Sequence, residues 1–181
     1  MAVSQLESFA LNLQLDIIDA AYVEVAGSGR QHESFADYVL DALTENGDWP
    51  QHQLSYYKKD QRGEISAWGI DEVNKILYLA VVDWESSGVI ENLPQRTITG
   101  KFKRLGTFLD RAIKGKFVGE EGTEASEAAH VIESGFGKEF HSVRLFLLSN
   151  RLQSDKVTTP KLSLDDLKIT CELWGIEKIS A

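Results

Sequence analysis

The stretch from Gly63 to Trp84, GEISAWGIDEVNKILYLAVVDW, constrains the fold more than any other part of the chain. It reads as two strands, Glu64 to Asp71 and Ile76 to Asp83, joined by the polar turn Glu72-Val73-Asn74-Lys75. A short Asn-containing turn between two strand-like runs is a hairpin signal. The second run is almost continuously apolar from Ile76 to Val82. A strand of that kind is covered on both faces, so it belongs at the centre of a sheet.

The rest of the chain supplies the cover. Leu6, Phe9, Leu13, Ile17, Ala20 and Ala21 recur at steps of three and four, which predicts an amphipathic helix over Val3 to Glu24. Gly27-Ser28-Gly29 breaks it. A second helix is predicted from Gln31 to Thr44, with Phe35, Tyr38, Val39 and Ala42 inward and Gly47 beyond its end. Leu54 to Lys58 reads as a strand leading through 59–63 into the hairpin. After it, Ile98, Phe102, Leu105, Leu109 and Ile113 mark a third helix from Thr97 to Lys114. Thr123 is placed to cap a fourth helix that ends near Ser134. Val143 to Leu148 and Ile169 to Trp174 read as further strands, and Ser163-Leu164-Asp165-Asp166 has a capping-box form that predicts a helical turn. Helices interspersed with strands give an α/β class.

Composition bounds the function. A chain of 181 residues fits a single domain, 1–181, with a sizeable core. Its single cysteine, Cys171, excludes an intramolecular disulfide, and a cytoplasmic location is expected. No apolar run approaches a membrane span, and Met1 to Ser8 lacks the features of a signal peptide, so no membrane partner is expected. A net charge of −9 argues against indiscriminate nucleic-acid binding. The charge is nevertheless uneven. Between Arg96 and Lys116 seven basic residues face one acid, Asp110, so this segment is +6 and the remainder −15.

The hairpin also carries a resemblance. Ile65, Ala67, Trp68, Ile70, Asp71, Glu72, Asn74, Lys75, Leu77, Tyr78 and Leu79, with Trp84 at the aromatic end, follow a family pattern. They resemble the N-terminal domain of the abortive-infection phage-resistance (AIPR-type) proteins. The tail Glu172-Leu173-Trp174-Gly175-Ile176 is similar to an element that follows in that family, with Gly175 at its Asp position. The resemblance implies a restriction-endonuclease-like, or PD-(D/E)xK, core of order αβββαβ, a central mixed sheet flanked by helices. The family proteins are longer, so the chain is expected to be an N-terminal piece or a stand-alone version. The chemistry departs from the pattern. The family's first catalytic Asp falls on Ser66, its Gln or Glu on Val81 and its Lys on Asp83. Glu33 is the nearest match by position to the helix acid that often completes such a site.

A nuclease of this type gathers carboxylates around Mg²⁺, with a lysine beside them to position or activate the attacking water. Ser66 offers a weak neutral oxygen, Val81 none, and Asp83 reverses the lysine's charge. No catalytic residues, metal or cofactor are expected on this reading; Mg²⁺ enters only if a rearranged site exists. Asp71, Asp83 and Glu85 are the candidates for that. In a hairpin turning at 72–75, however, Asp71 and Asp83 lie at opposite ends, at roughly 3.3 Å per residue. The simpler reading makes Asp71 a turn residue and Glu85 a solvated one.

The four histidines, His32, His52, His130 and His141, have no metal-ligand spacing to one another or to Cys171, so zinc is not expected. Nucleophile-elbow, P-loop and dinucleotide signatures are absent from the sequence. The tryptophans read as packing residues. Lys101, Arg104, Arg111 and Lys114 fall on roughly one face of the third helix. They read either as a solvated face or as a contact for nucleic-acid phosphate or an acidic partner. The leading expectation is thus a non-catalytic nuclease-like domain of a phage-defence protein that binds nucleic acid or a defence-system protein. The alternatives are a Mg²⁺-dependent DNA or RNA nuclease with a rearranged site, and an assembly module of a defence protein.

Overall fold

The computed structural model describes residues 3–24, 31–59 and 63–181. The Gly27–Gly29 break and residues 60–62 of the connection into the hairpin lie outside them. In chain order the elements are α1 (Val3–Glu24), α2 (Gln31–Glu45), β1 (Gln53–Lys59), β2 (Gly63–Asp71), β3 (Ile76–Asp83), α3 (Gln95–Ile113), α4 (Glu124–Gly135), β4 (Ser142–Ser149), β5 (Lys168–Trp174) and the short α5 (Ile176–Ile179). The five strands form one sheet in the order β1-β2-β3-β4-β5. The first three are antiparallel neighbours, and β4 and β5 join parallel to β3. The fold is therefore α/β with a mixed sheet, and β3 is its middle strand.

The apolar run of β3 explains the layers. Leu77, Leu79 and Val81 enter one core with Ile98, Phe102 and Leu105 of α3 and Ala128 and Ile132 of α4. Tyr78, Ala80 and Val82 enter the other with Leu13 and Ile17 of α1 and Phe35, Val39 and Leu40 of α2. Leu77, Leu79, Ala80 and Val81 are wholly buried. Among the described residues, no helix is long and apolar enough to cross a membrane.

Two expectations are corrected. The inner face of α2 is Phe35, Ala36, Val39, Leu40 and Leu43, with Tyr38 and Ala42 outward. The sheet selects the larger stripe through Leu40 and Leu43, one residue away from the predicted face. Ser163 to Asp166 opens no helical turn: Asp165 has φ +48, and Leu167 N–H donates to the Leu164 carbonyl at 3.0 Å in a tight turn. Thr123, by contrast, caps α4 as its type suggests, its hydroxyl accepting from Ser126 N–H at 3.2 Å.

The sheet forks at one end. The β2–β3 register runs from Asp71↔Ile76 to Ala67↔Ala80. Beyond that point β2 stays with β1 (Tyr57↔Ile65, Lys58↔Glu64), while β3 stays with β4 (Val82↔Leu148, Asp83↔Ser149). The break is visible in the side-chain alternation of β2. Ile65 and Trp68, three residues apart, both belong to the α3 side, and Ala67 belongs to the α2 side. A regular strand would put residues three apart on opposite faces.

Candidate functional site: a cleft at the fork of the sheet

The fork opens a cleft of about 420 Å³. Lys58 and Tyr56 of β1, Glu64 and Ser66 of β2, Val82, Asp83 and Trp84 at the end of β3, and Lys101 of α3 line it, with Gln31 and His32 of α2 above. Its position at the carboxyl end of β3, where the chain leaves for a helix, is a usual place for a binding crevice in an α/β sheet.

Glu64 is the anchor of one wall. It is buried, yet its Oε2 accepts from Lys101 Nζ at 2.6 Å and its Oε1 from Arg104 Nε at 3.0 Å. A buried carboxylate persists only when paired in this way. Gly63 brings the partners together. It has φ +113, and a Cβ there would lie 2.7 Å from the backbone nitrogen of Phe108 on α3. Only glycine lets β2 approach α3 so closely.

Asp83 anchors the other wall. Its Oδ2 accepts from Arg151 Nε at 2.8 Å and from Ser149 Oγ at 2.7 Å, and its Oδ1 from Arg151 Nη2 at 2.7 Å. This two-pronged geometry is the strong form of an Arg–carboxylate pair. The hydrogen bonds to Asp83 raise the Arg151 guanidinium above its ordinary value, and burial works in the opposite direction. Glu85 and Glu91 also stand close enough to favour the charged form. The Arg151 side of the cleft is therefore balanced by acid. The surplus of positive charge lies on the other side, where Lys101 and Arg104 pair with the carboxylate of Glu64 and Lys58, its cross-strand neighbour, lines the cleft.

The degenerate motif positions and the alternative metal candidates are dispersed. Ser66 and Asp83 reach the cleft, but Val81 is wholly buried against the α3 layer, and its neighbour Val82 lines the wall instead. Glu33 is in the first turn of α2, whose contributions to the wall are Gln31 and His32. Asp71 is a turn residue at the other end of the hairpin. It accepts from Val73 N–H and Asn74 N–H, each at 3.0 Å, and from the Asn74 amide at 2.8 Å. The bonds from Asn74 hold its carboxyl below the usual value. Glu85 leaves the strand, its carboxylate accepting from Ser87 N–H at 3.1 Å. Asp71, Asp83 and Glu85 thus do not share one site.

These residues do not fit the Mg²⁺ that the fold resemblance implies. The position of one ligand is a buried valine, that of another is a serine, and the remaining carboxylate is filled by a guanidinium and a hydroxyl.

The basic face of α3 is also divided. Lys101 and Arg104 turn toward Glu64, Lys114 pairs with Asp110 at 2.7 Å, and Arg111 is half-buried. Glu64 and Arg151 were not singled out in the sequence. The helical spacing of Lys101 and Arg104 marks a pair of donors on one face, but a partner carboxylate 37 and 40 residues away is visible only after folding. Of the tryptophans, Trp49 is core, while Trp84 lines the cleft and donates to Gln31 Oε1 at 2.8 Å.

No curated protein and no solved structure matches the chain. Residues 35–181, from α2 to the last residue, match the family model of the abortive infection phage resistance protein N-terminal domain. The match includes the hairpin, both carboxylate anchors and Arg151, and the chain belongs to this phage-resistance family.

Proposed function

We propose that this domain serves its phage-defence family as a nuclease-like module that binds nucleic-acid backbone in the forked-sheet cleft without cutting it. The observation that supports this most is the wall on which Lys101 and Arg104 pair with the one carboxylate of Glu64 while Lys58, its cross-strand neighbour, faces the cleft. The net positive wall suits a phosphate, and Lys101 is held in place by its ion pair. Tyr56 and Trp84 supply aromatic surface on the same cleft, which suits an unpaired base beside the bound phosphate.

The test is fluorescence anisotropy with labelled single- and double-stranded DNA and RNA over a range of salt. The proposal expects affinity that falls with salt. Replacing the exposed Lys58 by Gln should reduce the salt slope by about 1. Binding that is absent at low salt, or a slope unchanged in Lys58→Gln, would remove the reading.

A second reading is favoured by a single fact: Glu64, Asp83 and Lys101 line one cleft. Two carboxylates and a lysine are the residue types of a metal-dependent nuclease, moved from their usual positions. Against it stands the occupancy of all four carboxylate oxygens by internal cations and Ser149. A metal would have to displace those bonds.

A further inference from the structure

Away from the cleft, at the opposite end of β1, three potential metal ligands meet. Asp37 and Asp41 stand one turn apart on α2, and His52 immediately precedes β1. One ligand atom from each residue lies within 4.8 Å of the other two. His52 Nε2 is 2.9 Å from Asp37 Oδ1 and 3.6 Å from Asp41 Oδ1. The imidazole is nine-tenths buried, while Asp41 is 63% exposed, so a cation held there would keep open positions toward water.

The other ring nitrogen decides what Nε2 presents. Thr44 Oγ1 lies 3.3 Å from the Pro50 carbonyl oxygen and 3.3 Å from His52 Nδ1. Two arrangements fit these contacts. With its proton on Nε2 the ring donates to Asp37; with its proton on Nδ1 it donates to Thr44 Oγ1, whose own proton goes to the Pro50 carbonyl, and the bare Nε2 faces both carboxylates as a ligand atom. Metal-binding histidines have the second arrangement, the far nitrogen fixed by a hydrogen bond and the near one bare.

We infer that Asp37, Asp41 and His52 form a binding site for a divalent transition-metal ion of the Zn²⁺ class, joining α2 to the start of β1. The donor set selects the class. One imidazole and two carboxylates suit Zn²⁺ or Co²⁺ better than Mg²⁺ or Ca²⁺, which prefer oxygen alone. The spacing also fits. Metal–ligand distances of about 2.0–2.2 Å in a tetrahedron place neighbouring donors roughly 3.3–3.6 Å apart; the Asp41 separation of 3.6 Å matches this, and the Asp37 separation of 2.9 Å needs to open by a few tenths of an ångström. Spacing along the sequence did not reveal the site because its acids are four residues apart on a helix while its histidine comes from the following connection.

The test is titration calorimetry of the EDTA-treated, desalted full chain with Zn²⁺, alongside Mg²⁺, with the visible spectrum of the Co²⁺ form reporting its geometry. One equivalent of Zn²⁺ should bind, Mg²⁺ should not compete, and the melting temperature should rise with Zn²⁺ concentration. Asp41→Asn changes an exposed residue and should retain the fold while weakening Zn²⁺ binding at least about tenfold; Thr44→Val, which frees the ring, should weaken it by about the same factor. His52→Gln should abolish saturable binding. A chain that binds no Zn²⁺ holds only the hydrogen bond between His52 and Asp37 there, which overturns the inference. Binding that persists unchanged in an Asp37→Asn, Asp41→Asn double variant overturns it as well.

Discussion

Arg151 grips Asp83 at two points, Nε to Oδ2 at 2.8 Å and Nη2 to Oδ1 at 2.7 Å. Asp83 falls where the nuclease-like pattern that the hairpin resembles would place a lysine. The cation is still present, but it comes from the chain just after β4 and is spent on the carboxylate. The pair fastens the end of β3 to the segment leaving β4, where β3 no longer has β2 beside it.

Removing one member of this pair should be costly. Both side chains are largely buried, at 16% and 10% exposure for Arg151 and Asp83. Arg151→Ala should leave an unpaired carboxylate and destabilise the fold by about 3 kcal/mol. Urea unfolding measures it, and an Asp83→Ala, Arg151→Ala double variant should lose clearly less than the sum of the single losses. Equal stability of Arg151→Ala and wild type would show that the pair contributes nothing.

Gly63→Ala should also destabilise, by about 2 kcal/mol or more. The added Cβ meets the backbone of Phe108, which cannot swing aside as a side-chain tip can, and the φ of +113 strains any L-residue. The same variant should loosen the contact between β2 and α3 that brings Glu64 to Lys101. Hydrogen exchange at the start of β2 reports that loosening. Protection equal to wild type would contradict the close-approach argument.

Asp71 makes the hairpin turn sensitive to acid. Bonds from Asn74, chiefly its backbone N–H, lower the carboxyl from an ordinary value of 3.8. A depressed folded value contributes stability that is present above 3.8 and lost as pH falls through the folded value. Wild type should therefore be more stable than Asp71→Ala at pH 7, and the gap should narrow as pH falls below 3.8. A gap that is independent of pH would mean that the ionised turn is not the source.

How much of this was legible beforehand follows from the range of the forces involved. The hairpin, the central place of β3 and the Thr123 cap depend on neighbours within a few residues, and the sequence shows those directly. The apolar run from Ile76 to Val82 also implied helices on both faces, as found with α1 and α2 against α3 and α4. The choice of face on α2 did not follow, because Tyr38 and Leu40 both satisfy a helical period and only the shape of the sheet decides between them. The cleft was least legible. Ser66, Val81 and Asp83 showed that the family's metal chemistry is missing, but not what replaces it. Glu64 lies within the predicted strand, and the spacing of its partners Lys101 and Arg104 reads as an outward basic face. Long-range pairing turned them inward.

The central claim is that the cleft at the fork binds without cutting. Its most direct test is incubation of the purified chain with end-labelled single- and double-stranded DNA and RNA in Mg²⁺ or Mn²⁺, beside an Asp83→Ala variant. The account predicts no cleavage above that variant with any substrate or metal, because a guanidinium and a hydroxyl already fill the only acid at the motif positions. Cleavage by wild type that disappears in Asp83→Ala would contradict it and establish the rearranged nuclease.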